Sequence, residues 1–298
     1  MRSALLALAA LVPTLASAPL RAEPAPVTPV VLKPSSQWNV DYAADSCRLV
    51  RLFGEGENQH YLAFQQYGPA KGFGLTIAGP GFKKFRSLET TMIHFSEAQA
   101  PRESMPFSGT IGDFGPGVIY VNMGIEEEPA PTAAEQAKAP GPGVPTLDLA
   151  QGKQVQFITL RQGKHAVRLD TGRLDQAFAV LNQCTLDLVR DWGLDPQRHV
   201  DAQSRPFWNN QEAIVRRIQR EYPAEAARIG EQGIMRMRVI VSAEGTVESC
   251  KILKSTETEE LESPACKMMK NATFDPARDA AGVPFRSYFV TSITYKLG

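Results

Sequence analysis

The residues that could do chemistry are few, and their spacing argues against most catalytic schemes. Asp170-Thr171-Gly172 follows the apolar run Val167-Arg168-Leu169. An Asp-Thr-Gly loop is how acid proteolysis builds a pair of carboxylates that share a proton and activate water. Here the next residue is Arg173 rather than a small one, and a helical pattern begins at once, so a strand-to-helix turn explains the same letters. The four histidines, His60, His94, His165 and His199, form no H-E-x-x-H or other metal-ligating spacing. No G-x-S-x-G and no phosphate-binding glycine loop occurs; Gly54-Glu55-Gly56 and Gly79-Pro80-Gly81 read as turns. The expectation is a protein with no catalytic residues, no metal and no cofactor.

The four cysteines, Cys47, Cys184, Cys250 and Cys266, fit neither a zinc site nor a redox C-x-x-C. Four cysteines allow three pairings. Grouping them by domain favours Cys47–Cys184 and Cys250–Cys266. The second pair would close a loop of about 15 residues, worth about 3 kcal/mol in the chain-entropy model. Buried free thiols are the alternative. Disulfides require an oxidising compartment, and the N-terminus agrees with export. Arg2 precedes an apolar stretch, Ala4 to Ala18, that is interrupted by Pro13 and is shorter than the roughly 20 residues a spanning helix needs. Ala16-Ser17-Ala18 has the small-residue pattern of a cleavage site, with a cut after Ala22 as its rival. Residues 1–22 are therefore expected to be a cleaved signal peptide, with an uncleaved anchor as the alternative. With 32 basic and 32 acidic residues, nothing favours nucleic acid or an anionic membrane as a partner.

The elements that must position any site fall into two domains. Residues 23–36, rich in Pro and Ala, read as a flexible leader. Residues 37–197 read as a β-rich N-terminal domain ending in a long helix. Its strand runs are Cys47 to Phe53, Tyr61 to Gln66, Gly74 to Ile77, Thr91 to Phe95, Val118 to Met123, Val155 to Leu160 and Ala166 to Leu169. Residues 126–146, rich in Glu, Ala and Pro, are expected to be a mobile excursion. Leu174, Ala177, Phe178, Leu181, Thr185, Leu188, Val189 and Trp192 recur at helical spacing. Asp170 or Thr171 would cap that helix, and Gly193 with Pro196 would end it.

Residues 205–298 read as a second, α+β domain. Asn209 and Glu212 have capping-box spacing before a helix carrying Ile214 and Ile218. Tyr222-Pro223 ends it and places Pro223 at the first position of another turn. Met235, Met237, Val239 and Val241 share one face of a strand, and Arg236 and Arg238 point the other way. Glu244-Gly245 turns the chain into a second strand, Val247 to Leu253. Ser263-Pro264 starts a short helix with Ala265, Met268, Met269 and Ala272 on one side. A long final strand runs from Val283 to Leu297. The order helix, hairpin, helix, strand gives helices on one side of a three-stranded antiparallel sheet.

These elements, in this order, resemble the TonB C-terminal domain family over about residues 210–298. Tyr222, Pro223, Gly233, Gly245, Phe274, Pro276 and Ala277 match the family's packing and turn positions. The resemblance implies a periplasmic domain that grips outer-membrane TonB-dependent transporters by accepting the extended TonB box on its last strand. Carried onto this sequence, that edge is Arg286, Ser287, Tyr288, Phe289, Val290, Thr291, Ser292, Ile293, Thr294 and Tyr295. The resemblance also implies support for energy-coupled transport rather than enzymatic activity. Full transducers of the family keep an uncleaved N-terminal helix that engages an inner-membrane motor, so motor proteins are expected partners only if the signal-like segment is retained. Two other readings stay open: an envelope structural or assembly module that dimerises through the same edge, and an enzyme housed in the N-terminal domain.

Overall fold

The computed structural model of the protein describes residues 27–126, 140–254 and 263–295. The signal segment 1–22, the start of the leader and most of the 126–146 excursion lie outside the described residues.

Alternation of apolar and polar residues builds two sheets in the N-terminal domain, antiparallel except where β1 joins β11. The larger sheet has the order β2 (Asn39–Ala43), β3 (Ser46–Phe53), β4 (His60–Gln66), β5 (Phe73–Ala78), β9 (Pro116–Met123), β8 (Phe107–Thr110). The smaller sheet has the order β1 (Val30–Leu32), β11 (His165–Leu169), β10 (Ile158–Gln162), β6 (Thr91–His94), β7 (Arg102–Ser104). Leu49, Phe64, Leu75, Ile77, Ile93, Leu160 and Leu169 from both sheets bury into one core. Helix α1 (Leu149–Gln154) packs on helix α2 (Asp175–Asp191), whose apolar stripe closes that core through Phe178, Leu181 and Leu188. Cys47 on β3 is bonded to Cys184 on α2. A short helix α3 (Pro196–Val200), capped by Asp195, leads to the second domain.

There, helix α4 (Gln211–Arg220) and helix α5 (Ala224–Arg228) precede the hairpin β13 (Gly233–Val241) and β14 (Val247–Lys254). Helix α6 (Ala265–Met269) and strand β18 (Ser287–Tyr295) complete the unit. The sheet order is β14-β13-β18. Met235, Met237, Val239, Val241, Phe289 and Ile293 face the helices, which contribute Ile214, Ile218, Met268 and Met269. Cys250 on β14 is bonded to Cys266 on α6. Two small ladders, β12 (Phe207–Trp208) with β15 (Phe274–Asp275) and β16 (Ala277–Arg278) with β17 (Pro284–Phe285), tie down the domain's ends.

Several local expectations give way to tertiary contacts. The described part of the leader is ordered: Val30–Leu32 adds a parallel strand to β11, with Val30 opposite Val167. Residues 149–154 are helical, so the strand read from Val155 begins only at Ile158. The described end of the excursion is bound to the second domain's entry, with Gly143 N–H donating to Ala202 C=O at 2.9 Å. Neither Asp170 nor Thr171 caps α2; Leu174 occupies the cap without a side-chain bond. The capping box at Asn209 and Glu212 does not form, because the Asn209 amide donates to Asp275 at 3.0 Å and Glu212 pairs with Arg216. Pro223 sits at the N-cap of α5 rather than inside its first turn. The final strand is broken at Arg286, where the chain passes from β17 to β18.

The two domains share an interface across the second face of the β14-β13-β18 sheet. Arg238 lies 4.7 Å from the centre of the Trp192 ring and pairs with Asp45 at 3.1 Å. Lys251 reaches the same carboxylate at 2.7 Å. Ile240 and Tyr288 pack with Val189, Trp192 and Leu194. Burial pulls the Asp45 carboxyl upward, but Lys251 and Arg238 outweigh it and hold the group below the ordinary carboxylate value. A depressed folded-state value means that the contribution is complete above the unfolded value near 4 and is lost as pH falls through the depressed one. Asp45→Asn should therefore cost about 1–2 kcal/mol at neutral pH, between the values typical of exposed and buried pairs. Urea unfolding should show this gap at about pH 7 and a progressively smaller one as pH falls below about 4; a gap that does not shrink with acidification would refute the pairing.

Candidate functional site

Strand β18 pairs with β13 along its whole length, Gly233 opposite Tyr295 through Val241 opposite Ser287. Its other side has no strand neighbour among the described residues. A sheet edge presents alternate N–H and C=O groups and is a template for another extended chain. Residues Tyr288 to Ile293 are half-buried, Thr294 is exposed, and Ser287 and Tyr295 are buried. Arg286 lies outside the strand: its guanidinium donates to Glu248 at 2.6 Å and to Gly193 C=O at 3.1 Å, so it braces the interface and does not form part of the edge.

The edge opens into a cleft of about 820 Å³ between the domains. One wall is β18 from Tyr288 to Ser292. The other is the β4–β5 turn, Tyr67 to Gly72, with Asn122 to Gly124 at the end of β9. Arg205 and Pro206 from the link between domains close one side. The turn approaches β18 closely: a Cβ on Gly68 would lie 2.9 Å from the Trp192 ring and 3.3 Å from the Val290 side chain.

Arg236 anchors the floor. It projects from β13 away from the helices, its guanidinium donating to Val121 C=O on β9 and to Ser292 Oγ on β18. It lies 5.2 Å from the centre of the Tyr67 ring. Gly74 leaves room for it, since a Cβ there would stand 3.3 Å from an Arg236 nitrogen. Burial pushes the Arg236 guanidinium below its ordinary value. The Tyr288 hydroxyl, elsewhere on the cleft wall, is pushed well above its ordinary value, also by burial.

The seven motif residues are structural in this fold. Tyr222 donates to Glu231 C=O and packs edge-on against Tyr295, with ring centres 5.3 Å apart. Phe274 stacks on Trp208 and touches Phe289. Gly245 takes a φ of 81° in the hairpin turn and accepts from Phe274 N–H at 2.9 Å. Gly233 opens β13, Ala277 is buried opposite Phe285, and Pro276 follows β15. Sequence reasoning missed Arg205, Arg236 as a buried group, His199 and the Gly68–Gly72 wall. The one local signal was two arginines at alternate positions of a strand whose other face is core.

Residues 218–297 match the family model of the Gram-negative bacterial TonB protein C-terminal. The C-terminal domain is therefore similar to the TonB C-terminal domain over these residues, about a quarter of the chain. Neither the curated proteins nor the solved structures yielded a match. Among the described residues no helix is long and apolar enough to cross a membrane.

Two of the histidines, His60 and His199, and the Asp-Thr-Gly aspartate have structural partners. His60 bridges Asn58 C=O at 2.8 Å and Gly81 N–H at 3.0 Å. His199 Nδ1 meets Asp195 C=O at 2.7 Å. Burial raises the Asp170 carboxyl, but Lys33 and Arg168 overcome that and hold it below its ordinary value, the reverse of a shared-proton pair. No group of three or more metal-ligating side chains occurs among the described residues.

Proposed function

We propose that this protein is a periplasmic binder, not an enzyme, that takes the TonB box of an outer-membrane transporter as an added strand on β18. The observation that carries the reading is an edge strand of a TonB-like domain, without a strand neighbour on one side among the described residues, that lines a cleft of about 820 Å³. Affinity would come from the backbone ladder, and partner choice from the pockets beside it. The N-terminal domain is one wall of that cleft, so the working unit is the whole chain. The same wall crowds the approach of a second copy to β18, which weighs against dimerisation through this edge. Residues 1–22 would be removed on export, leaving a free binder; engagement of an inner-membrane motor would require their retention, and the intact mass of the exported protein decides between these.

Successive residues of an added strand point their N–H groups alternately toward β18 and away from it. Fluorescent TonB-box peptides should bind the full oxidised chain saturably in an anisotropy titration. N-methylation at alternate peptide residues should weaken binding about ten-fold or more in one register, the loss of one or more ladder bonds, and little in the other. Absence of saturable binding, or equal losses in both registers, would refute strand addition.

A further inference from the structure

Helix α3 joins the two domains, and a buried histidine on it is only half bonded. His199 is 6% exposed. Its ring packs against two residues of the second domain, Phe285 on β17 with ring centres 4.9 Å apart and Tyr288 on β18 at 5.2 Å. Nδ1 lies 2.7 Å from Asp195 C=O. A carbonyl can only accept, so Nδ1 carries the proton and Nε2 is the bare nitrogen of a neutral imidazole. Nε2 is screened from solvent and has no hydrogen-bond partner among the described residues. Ala202, just past α3, is buried with Ala277 and Phe285, and Gln203 N–H donates to Arg278 C=O at 2.9 Å. Between α3 and α2 lies a crevice of about 370 Å³, so packing there leaves the short helix room to shift.

A second proton on this ring would put a cation and a new N–H donor against two aromatic rings, away from water. Cations already stand nearby. Arg198 lies 4.6 Å from the centre of the Phe285 ring and pairs with Asp279 at 2.7 Å, and Arg205 interacts electrostatically with Tyr288. The acidic groups of the elements packed here are engaged or exposed. Asp195 caps α3 through the Gln197 and Arg198 N–H groups, and Asp201 accepts from Gln197. On α2, Asp187 pairs with Arg190 and Asp191 is exposed. On the second domain, Glu248 pairs with Arg286. Burial, aided by Arg198 and only partly offset by Asp195, holds the His199 imidazole below the ordinary histidine value.

We propose that α3 is a pH-responsive clasp: protonation of His199 withdraws its ring from Phe285 and Tyr288, frees α3 from the second domain and opens the interface between the domains. The clasp concerns the interface alone and stands whether or not β18 accepts a strand. The closed form holds His199 neutral. It is therefore fully favoured above the ordinary histidine value of about 6.5 and loses that advantage as pH falls from there to the lower value of the closed form. Uptake of one proton raises the open population by at most about ten-fold per pH unit over that span. Asp45 lets go of Arg238 and Lys251 only below its own depressed carboxylate value, so the two steps are separated in pH.

The test is hydrogen exchange of the full oxidised chain, read by mass spectrometry from about pH 7.5 to about pH 4.5 and corrected for the intrinsic pH dependence of exchange. Protection of residues 189–202 should fall by up to about ten-fold per pH unit below about pH 6.5. Strand β13 and the first half of α2, which report global unfolding, should keep theirs. His199→Gln retains a donor for Asp195 C=O and does not titrate, and His199→Phe retains a ring; in both, protection of 189–202 should stay level. Burial also lowers His60 and His94, but their titration persists in the His199 variants and is separated in that way. An NMR titration of the parent should place the His199 ring midpoint below the ordinary histidine value. Level protection in the parent overturns the proposal, as does an equal fall in His199→Gln, a fall shared by β13 and α2, or a His199 midpoint at or above the ordinary value. The parent profile and the ring midpoint decide the matter if neither variant folds.

Discussion

Replacing Cys47 and Cys184 together by alanine should lower the stability of the protein by about 5 kcal/mol, the chain-entropy value for a loop of this length. The bridge joins residues separated by 137 positions, from β3 to α2, and therefore closes nearly the whole N-terminal domain. Both cysteines are fully buried in the core beside Leu49, Phe64 and Leu181. Without the bond the unfolded chain regains its freedom, and the helix that covers the larger sheet is held by packing alone. The Cys250–Cys266 bridge spans 16 positions and should contribute about 3 kcal/mol on the same model. Urea unfolding of the two double-alanine variants should show the larger loss for Cys47 and Cys184. A reversed order would mean that loop length does not set the contribution of these bridges.

Gly245→Ala should cost about 3–4 kcal/mol, above the usual 1–3 for left-handed strain, because a backbone clash is added to it. Gly245 has a φ of 81°, where a Cβ is disfavoured. The added Cβ would also lie 1.9 Å from the Phe274 carbonyl oxygen, which is backbone and cannot rotate away. Phe274 N–H donates to Gly245 C=O at 2.9 Å, so the hairpin turn and the approach to β18 are joined at this point. Relief of the clash would move Phe274 off Trp208 and Phe289 and disturb the strand that carries the candidate edge. A urea midpoint for Gly245→Ala within experimental error of the parent would refute this account. At Gly230, whose φ is 73° but where a Cβ would meet nothing within 4 Å, the same substitution should cost only about 1 kcal/mol, the conformational penalty alone.

Much of this could be read without the fold. The alternation Met235, Met237, Val239, Val241 fixes which face of β13 meets the helices, because the strand period is two and the helices carry Ile214, Ile218, Met268 and Met269 at helical spacing. The helix from Asp175 is equally legible, since seventeen residues of sustained periodicity leave one amphipathic solution. Its cap was not, because Asp170 is taken by Arg168, two residues before it, and by Lys33 from a distant segment. The capping box at Asn209 failed for the same reason: a side chain that can bond its own backbone took Asp275 instead. Val30–Leu32 looked like a tether because its Pro and Ala neighbours set the composition, yet the open side of β11 offered it a ladder.

By itself the sequence determined that a TonB-like α+β unit ends the chain, that its last strand is an extended apolar-alternating segment, and that the cysteines group by domain. Those properties depend on periodicity, turn chemistry and order, which are local. Only the tertiary structure decided that the second face of that sheet is covered rather than solvated. In the sequence Arg236 and Arg238 read only as pointing away from the apolar face, with nothing local to say what covers them. Their partners, Val121 C=O and Asp45, lie 115 and 193 positions away, beyond the reach of any local pattern. The cleft beside β18 lies between the two domains, and packing them face to face excludes water from charges, Arg236 among them, that each domain alone would leave exposed.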